Sequence, residues 1–300
     1  MDKYMIQCID NLSNKWKQNN ITLPIHYDIV LDGGAFNGSY TLGVLLYLKE
    51  LEKRDYSVIH RISGASIGSI MGVLFIANKL ELGIDLYKHF FTYFKKTGSL
   101  RILKKYIYKI ILNFGNEFYK KCNNKLFISY FDCKNNKQII QSKFRSNQDL
   151  YKVIVKSTFV PFLINGKFLY KSKYIDGLYP YVFTPTTNRK RIFVDLTQNL
   201  FKMLYIKNEI TNSERVIEGM LDLHYLLFNN NSKKYCSFID DWNIIYRTYF
   251  KWRIIYTQLI IFLIHYYLKN YKNVQKNSFK NEIRKLYVKT LRIFLTNFFV

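Results

Sequence analysis

Two apolar runs, each ending in glycine and each followed by helical spacing, stand out in the first third of the chain. "YDIVLDGG" (27–34) leads into "NGSYTLGVLLYLKELEKR", where Leu42, Leu45, Leu46 and Leu48 recur at helical intervals. "SVIHRIS" (57–63) leads through "GAS" into "IGSIMGVLFIANKLELG". Each reads as strand, glycine-rich turn and helix, the second helix running on to about Gly83. Further on, "KLFISYFD", "KQIIQSKF", "FLYKSKYI" and "RIFVDLT" predict strands, with a helix near 146–157. Strands alternating with helices predict a mostly parallel sheet covered on both faces, an α/β/α sandwich.

Past Pro185 the punctuation stops, and Gly219 is the one glycine or proline in the last 115 residues. Few turns and long apolar periodicity predict helices there. Three zones follow: a helical lead-in at 1–26, an α/β domain at 27–200 and a helical C-terminal extension at 201–300. Ile254–Leu268 is apolar for 15 residues between Arg253 and Lys269, too short for a confident membrane span, and predicts a buried or interfacial helix. From Ile283, residues Leu286, Tyr287, Leu291, Phe294, Leu295 and Phe298 form one stripe with Lys285, Lys289 and Arg292 off it. Such a basic amphipathic helix either lies among lipid headgroups or packs its stripe on the α/β core.

Composition narrows the classes. At 49% hydrophobic and 22% charged residues, 300 residues can bury a large core, which excludes a disordered chain. The net charge of +25 favours anionic surfaces. Its lysines and arginines are dispersed and no nucleic-acid recognition signature accompanies them, so no specific nucleic acid is expected. Cys8, Cys122, Cys133 and Cys236 contain no C-x-x-C pair, which gives neither a zinc site nor a disulfide framework. The first 20 residues hold no unbroken apolar run of signal-peptide length, so a cytoplasmic chain, peripheral at membranes if bound there, is expected.

Candidate chemistry gathers at three places. Ser66 lies between Gly64 and Gly68 in the pattern G-x-S-x-G, where a strand meets a helix. It is either a nucleophile lifted clear of the backbone or a capping serine in a tight turn. The turn Gly33-Gly34-Ala35-Phe36-Asn37-Gly38 could aim backbone N–H groups at an oxyanion, or be ordinary turn chemistry, and lacks the spacing of a nucleotide-phosphate loop. Asp176, followed by Gly177, could take a serine proton or simply turn the chain. Strand alternation would put Tyr170, Ser172 and Tyr174 on its face and Lys171 and Lys173 on the other.

In order, Gly33–Gly38, the Ser66 elbow, "STFVPF" at 157–162 and Asp176-Gly177 resemble the motifs of the patatin-like phospholipases across about residues 27–197. The resemblance implies an α/β/α fold and a Ser-Asp dyad, with Ser66 as nucleophile and Asp176 as base. It also implies an oxyanion hole at Gly33, Gly34 and Ala35, supported by Asn37, Gly38, Gly64, Gly68 and Gly177. The implied activity is hydrolysis of membrane phospholipid or other acyl lipid, of phospholipase A or lysophospholipase type, with no cofactor and no metal. Three residues depart from the family pattern. Ala35 replaces a glycine, Asn37 an Arg or Lys, and Leu178 a small residue. Two alternatives stand beside it: a Ser-Asp-His esterase using Ser66, Asp176 or Asp195, and His224; and a non-catalytic lipid-binding protein on the same fold.

Overall fold

The computed structural model describes residues 2–274 apart from 199–202, 204, 207–208, 210 and 231–234. Its centre is a sheet in the order β4-β3-β2-β1-β6-β7, formed by β1 (Ile25–Leu31), β2 (Ser57–Ala65), β3 (Leu126–Asp132), β4 (Lys137–Gln141), β6 (Lys190–Val194) and β7 (Cys236–Phe238). A two-residue strand, β5 (Tyr174–Ile175), adds to β3. The four central strands run parallel, and β4, β5 and β7 are antiparallel. Apolar runs such as that of β1 suit central parallel strands, which are buried on both faces. Along β1, Ile29 and Leu31 join the larger core on one face, and Val30 meets Phe183, Phe193 and Phe250 on the other.

Helices α1 (Asp2–Gln18), α2 (Gly38–Lys53) and α3 (Ile67–Ile76) contribute to the larger core, as do α4 (Leu82–Thr97), α5 (Leu103–Leu112), α6 (Phe118–Cys122) and α7 (Asn147–Ser157). Helix α8 (Ser213–Asn229) packs along α2 so closely that a Cβ on Gly43 would lie 1.9 Å from the Val216 carbonyl oxygen. Gly219 is thus the glycine of the C-terminal third because its own Cβ would meet the Tyr40 carbonyl oxygen at 2.0 Å. Helix α9 (Ile244–Val274) lies on the second face, anchored through Phe250 and Ile261.

The sandwich and its mostly parallel sheet match the expectation; several local readings do not. The helix read through Gly83 stops at Ile76, because Asn78 enters the left-handed region at φ 55° before α4 begins. "FLYKSKYI" is no continuous strand. Lys171 and Ser172 both have positive φ, 49° and 57°, and Tyr170 donates its N–H back to the Tyr174 carbonyl. The alternation argument therefore fails, although Lys173 does turn away from Asp176, pairing with Asp132 at 3.1 Å. Strand β7 lies inside the zone read as helical; three residues are too few to leave a period-2 signature. The apolar stretch from Ile254 is helical, as read, with Ile261 buried and much of its outer side facing solvent. The stripe at 283–298 lies outside the described residues.

Candidate active site

Strands β2, β1 and β6 are neighbours, and their C-terminal ends carry Ser66, Asp32 and Asp195 respectively. The carboxyl edge of an open α/β sheet is the usual place for a ligand. Ser66 itself adopts φ 50° and ψ −123°, a conformation that costs a non-glycine residue of order 1–3 kcal/mol and persists only when its surroundings enforce it. The enforcement is visible. The Ser66 N–H donates to Ser157 Oγ at 3.0 Å, and the Ser66 carbonyl accepts from Ser69 Oγ at 2.6 Å and Ser69 N–H at 3.0 Å. Gly64 and Gly68 are required by closeness: a Cβ on Gly64 would lie 2.6 Å from Gly68 backbone, and one on Gly68 2.6 Å from the Leu31 carbonyl oxygen. The serine is therefore held in a strained elbow and does not act as a side-chain cap of α3.

Asp176 follows β5, and the end of α7 fixes it. Its N–H donates to the Phe159 carbonyl at 3.2 Å, and the Gly177 N–H donates to the Ser157 carbonyl at 2.9 Å. Ser157 thus holds the Ser66 backbone through its hydroxyl and the Asp176–Gly177 turn through its carbonyl. The sequence signal for this was the serine of "STFVPF", legible as a motif but not as a clamp. Ser66 Oγ donates to Asp176 Oδ2 at 3.0 Å, while the buried Asp176 Oδ1 has no hydrogen-bond partner among the described residues. Burial raises this carboxyl from 3.8 to about 7, against the lowering effect of the Ser66 hydrogen bond and with the Asp32 charge raising it further.

Facing Ser66 is the turn 33–38. Ala35 sits at φ 46°, so the glycine-to-alanine departure falls where the backbone is left-handed and an alanine costs about 1 kcal/mol or more. The Gly33 N–H is already engaged by Asp32 Oδ1 at 2.8 Å. Asn37 is buried, donates to the Leu196 carbonyl at 3.2 Å and accepts from the Arg215 guanidinium of α8. A cation therefore does stand beside this loop, brought from a distant helix rather than carried at position 37. Gly38 opens α2.

A second long-range arginine was also missed. Arg253 of α9 donates to Asp32 Oδ2 at 2.8 Å and to Asp195 Oδ1 at 2.9 Å, joining two fully buried carboxylates. For Asp195, burial raises the pKa, but Arg253, Thr197 and Tyr246 together hold it below the ordinary value. Asp195 is thus committed to Arg253. His224 hydrogen-bonds Tyr47 at 2.8 Å, and His26 bonds His60 at 2.8 Å. Ser66 and Asp176 touch directly with no imidazole between them, and the three-residue relay has no geometric support.

Ser66 and Asp176 lie on the wall of a cavity of about 300 Å³. Gly34 and Ala35 line it, and the rest is mainly apolar, including Phe36, Ile70, Leu86, Phe90, Leu163 and Leu178. Leu178, the third departure, thus adds apolar surface to the cavity. Among the described residues no cluster of His, Cys, Asp and Glu could hold a metal ion.

A strained serine elbow, a carboxylate within hydrogen-bonding distance and a mostly apolar cavity at the carboxyl edge define an α/β/α chain built around a single serine–aspartate contact. Residues 29–195 match the model of the patatin-like phospholipases, and the chain belongs to that family, whose members are lipid acyl hydrolases and acyltransferases. It is similar to the omega-hydroxyceramide transacylase of Mus musculus, 23% identical over 145 residues, 45% of this chain and 24% of the relative. The corresponding Homo sapiens protein is 23% identical over 145 residues, covering 45% and 27%. The chain spans about a quarter of the length of these curated relatives.

Proposed function

We propose that the chain is a serine acyl hydrolase of phospholipase A or lysophospholipase type, acting on the acyl esters of membrane lipids. The observation that carries this reading is the Ser66 Oγ–Asp176 Oδ2 hydrogen bond at 3.0 Å on the wall of an apolar cavity. Asp176 removes the Ser66 proton as Oγ attacks the ester carbonyl, then returns it to the departing alcohol. Water attacks the acyl-serine in the second half, with Asp176 again as base. The N–H groups of Gly34 and Ala35, both on the cavity wall, are the proposed oxyanion donors. Gly33 serves differently from the expectation, its N–H holding Asp32 and so fixing the start of the turn. The apolar lining receives the acyl chain.

Transfer of the acyl group to a lipid hydroxyl instead of water is the second reading. It is favoured by the apolar character of the cavity and by the transacylases the chain resembles. Incubation of a labelled phospholipid with and without a long-chain alcohol separates free fatty acid from new ester. Ser66→Ala should abolish both products and labelling by a fluorophosphonate while the protein stays folded. Retained turnover in that variant would sink the assignment, and a folded parent that is neither labelled nor active would favour a lipid-binding protein without catalysis.

A further inference from the structure

Helix α9 has two unlike sides. Its inner side carries Phe250, Arg253 and Ile261 into the body, and Gln258 donates to the Tyr179 hydroxyl. Its outer side exposes Ile245, Tyr249, Trp252, Tyr256, Leu259 and Leu263, at alternating spacings of four and three residues, with Ile245 76% and Trp252 64% accessible. Ile255 and Phe262 widen this stripe on one side and Ile260 and Ile264 on the other, all exposed. At 100° per residue the exposed apolar arc covers roughly half the helix circumference.

That width identifies the occupant. A single partner helix covers a narrower seam, two positions in seven. An arc of half the circumference that carries Tyr249, Trp252 and Tyr256 fits the acyl–headgroup boundary of a bilayer, where such side chains hold an apolar body and a polar tip at once. Charge agrees. No Asp or Glu occurs from Trp242 to Val274, and the exposed Arg247 and Lys251 stand one turn apart beside the arc. The 31 residues extend about 46 Å at 1.5 Å per residue, yet no helix among the described residues is long and apolar enough to cross a membrane. The helix would therefore lie along the surface.

We infer that the outer face of α9 docks the protein on an anionic lipid surface, with Trp252, Tyr256, Leu259 and Leu263 entering the interface and Arg247 and Lys251 meeting the headgroups. The same helix reaches the candidate site: Ile261 packs in one cluster with Leu178, and Leu178 lines the cavity that holds Ser66. The choice of a lipid surface draws on the proposed lipid-ester substrate, but the docking is tested apart from it.

The test is flotation of the full chain with vesicles of phosphatidylcholine alone or mixed with phosphatidylserine, while Trp emission is followed. Expected are flotation with the mixed vesicles, a blue shift that Trp252→Phe removes, and at least a tenfold loss of binding in Leu259→Gln/Leu263→Gln. That variant should keep parental turnover of a short water-soluble ester, which also reports that it is folded. Arg247→Glu/Lys251→Glu should lose the preference for phosphatidylserine. Ser66→Ala should float like the parent, so that loss of ester turnover with intact flotation counts against the catalytic reading alone. Parental flotation by the Leu259/Leu263 variant would overturn the inference. So would a Trp252 already shielded from acrylamide without vesicles, whether covered by residues 275–300 or, if the mass is that of a dimer, by a second copy.

Discussion

Acid should silence Asp176 long before it unfolds the protein. The carboxyl is buried, shares one oxygen with Ser66 and has no hydrogen-bond partner for the other among the described residues, and its pKa stands at about 7 instead of 3.8. A general base works only when deprotonated, so kcat/KM for a short soluble ester should rise tenfold per pH step below 7 and level off above it. At pH 5 about 1% of the molecules hold the base form, which predicts a rate about a hundredfold below the plateau. Stability moves the opposite way. Because the folded pKa exceeds the unfolded one, the native state binds the proton more tightly; this contribution is complete below about pH 4 and is lost as pH rises to about 7. A rise from 3.8 to about 7 corresponds to at most about 4 kcal/mol. Asp176→Asn should therefore lose at least about a hundredfold in rate at pH 8 and lose the Asp176 share of this pH-dependent stability change, while Asp32, which burial likewise raises to about 7, keeps its own. A rate profile flat from pH 5 to 8, or one half-maximal near pH 4, would refute the reasoning, as would an active Asp176→Asn.

Ala35→Gly should relieve the left-handed alanine and raise stability by up to about 1 kcal/mol, offset in part by the added freedom of the unfolded chain, as read from urea unfolding midpoints. Asn37→Arg, which the sequence alone would suggest as a gain, should instead lower both stability and activity, because it sets a second cation against Arg215; a more active variant would show that Arg215 does not fill that role. His224→Ala should cost about 1 kcal/mol through its lost bond to Tyr47 and leave kcat/KM within about twofold, which steady-state kinetics can check.

Ser66 was legible because its signal is local: an apolar run, two glycines and a helix in ten residues. The same holds for the sandwich, since β1–α2 and β2–α3 each complete a strand–turn–helix pattern in sequence. Asp176 was legible as a residue but not in its setting, because Lys171 and Ser172 turn left-handed where alternation read an unbroken strand. Helices α4 and α5 mix lysines into apolar runs and supply part of the cavity wall without announcing it. Arg215 and Arg253 were invisible for a different reason. Their partners Asn37 and Asp32 lie 178 and 221 residues away, and no periodicity links such positions.

Arg253 also bears on where this protein can be divided. It lies 58 residues from Asp195, the last residue of the family match, yet its guanidinium is the cation shared by Asp32 and Asp195, each at most 1% accessible. A polypeptide cut after the matched span would carry Ser66, Asp176 and the 33–38 turn, yet leave Asp32 and Asp195 without that cation. Breaking a buried pair costs about 3–5 kcal/mol, a large share of the 5–15 kcal/mol that holds a typical domain folded. The stretch that bears the family's motifs is thus expected to be shorter than the stretch needed to fold. Gene fragments, fusions or insertions that detach α9 from β1 should yield insoluble or inactive protein even though no motif has been touched.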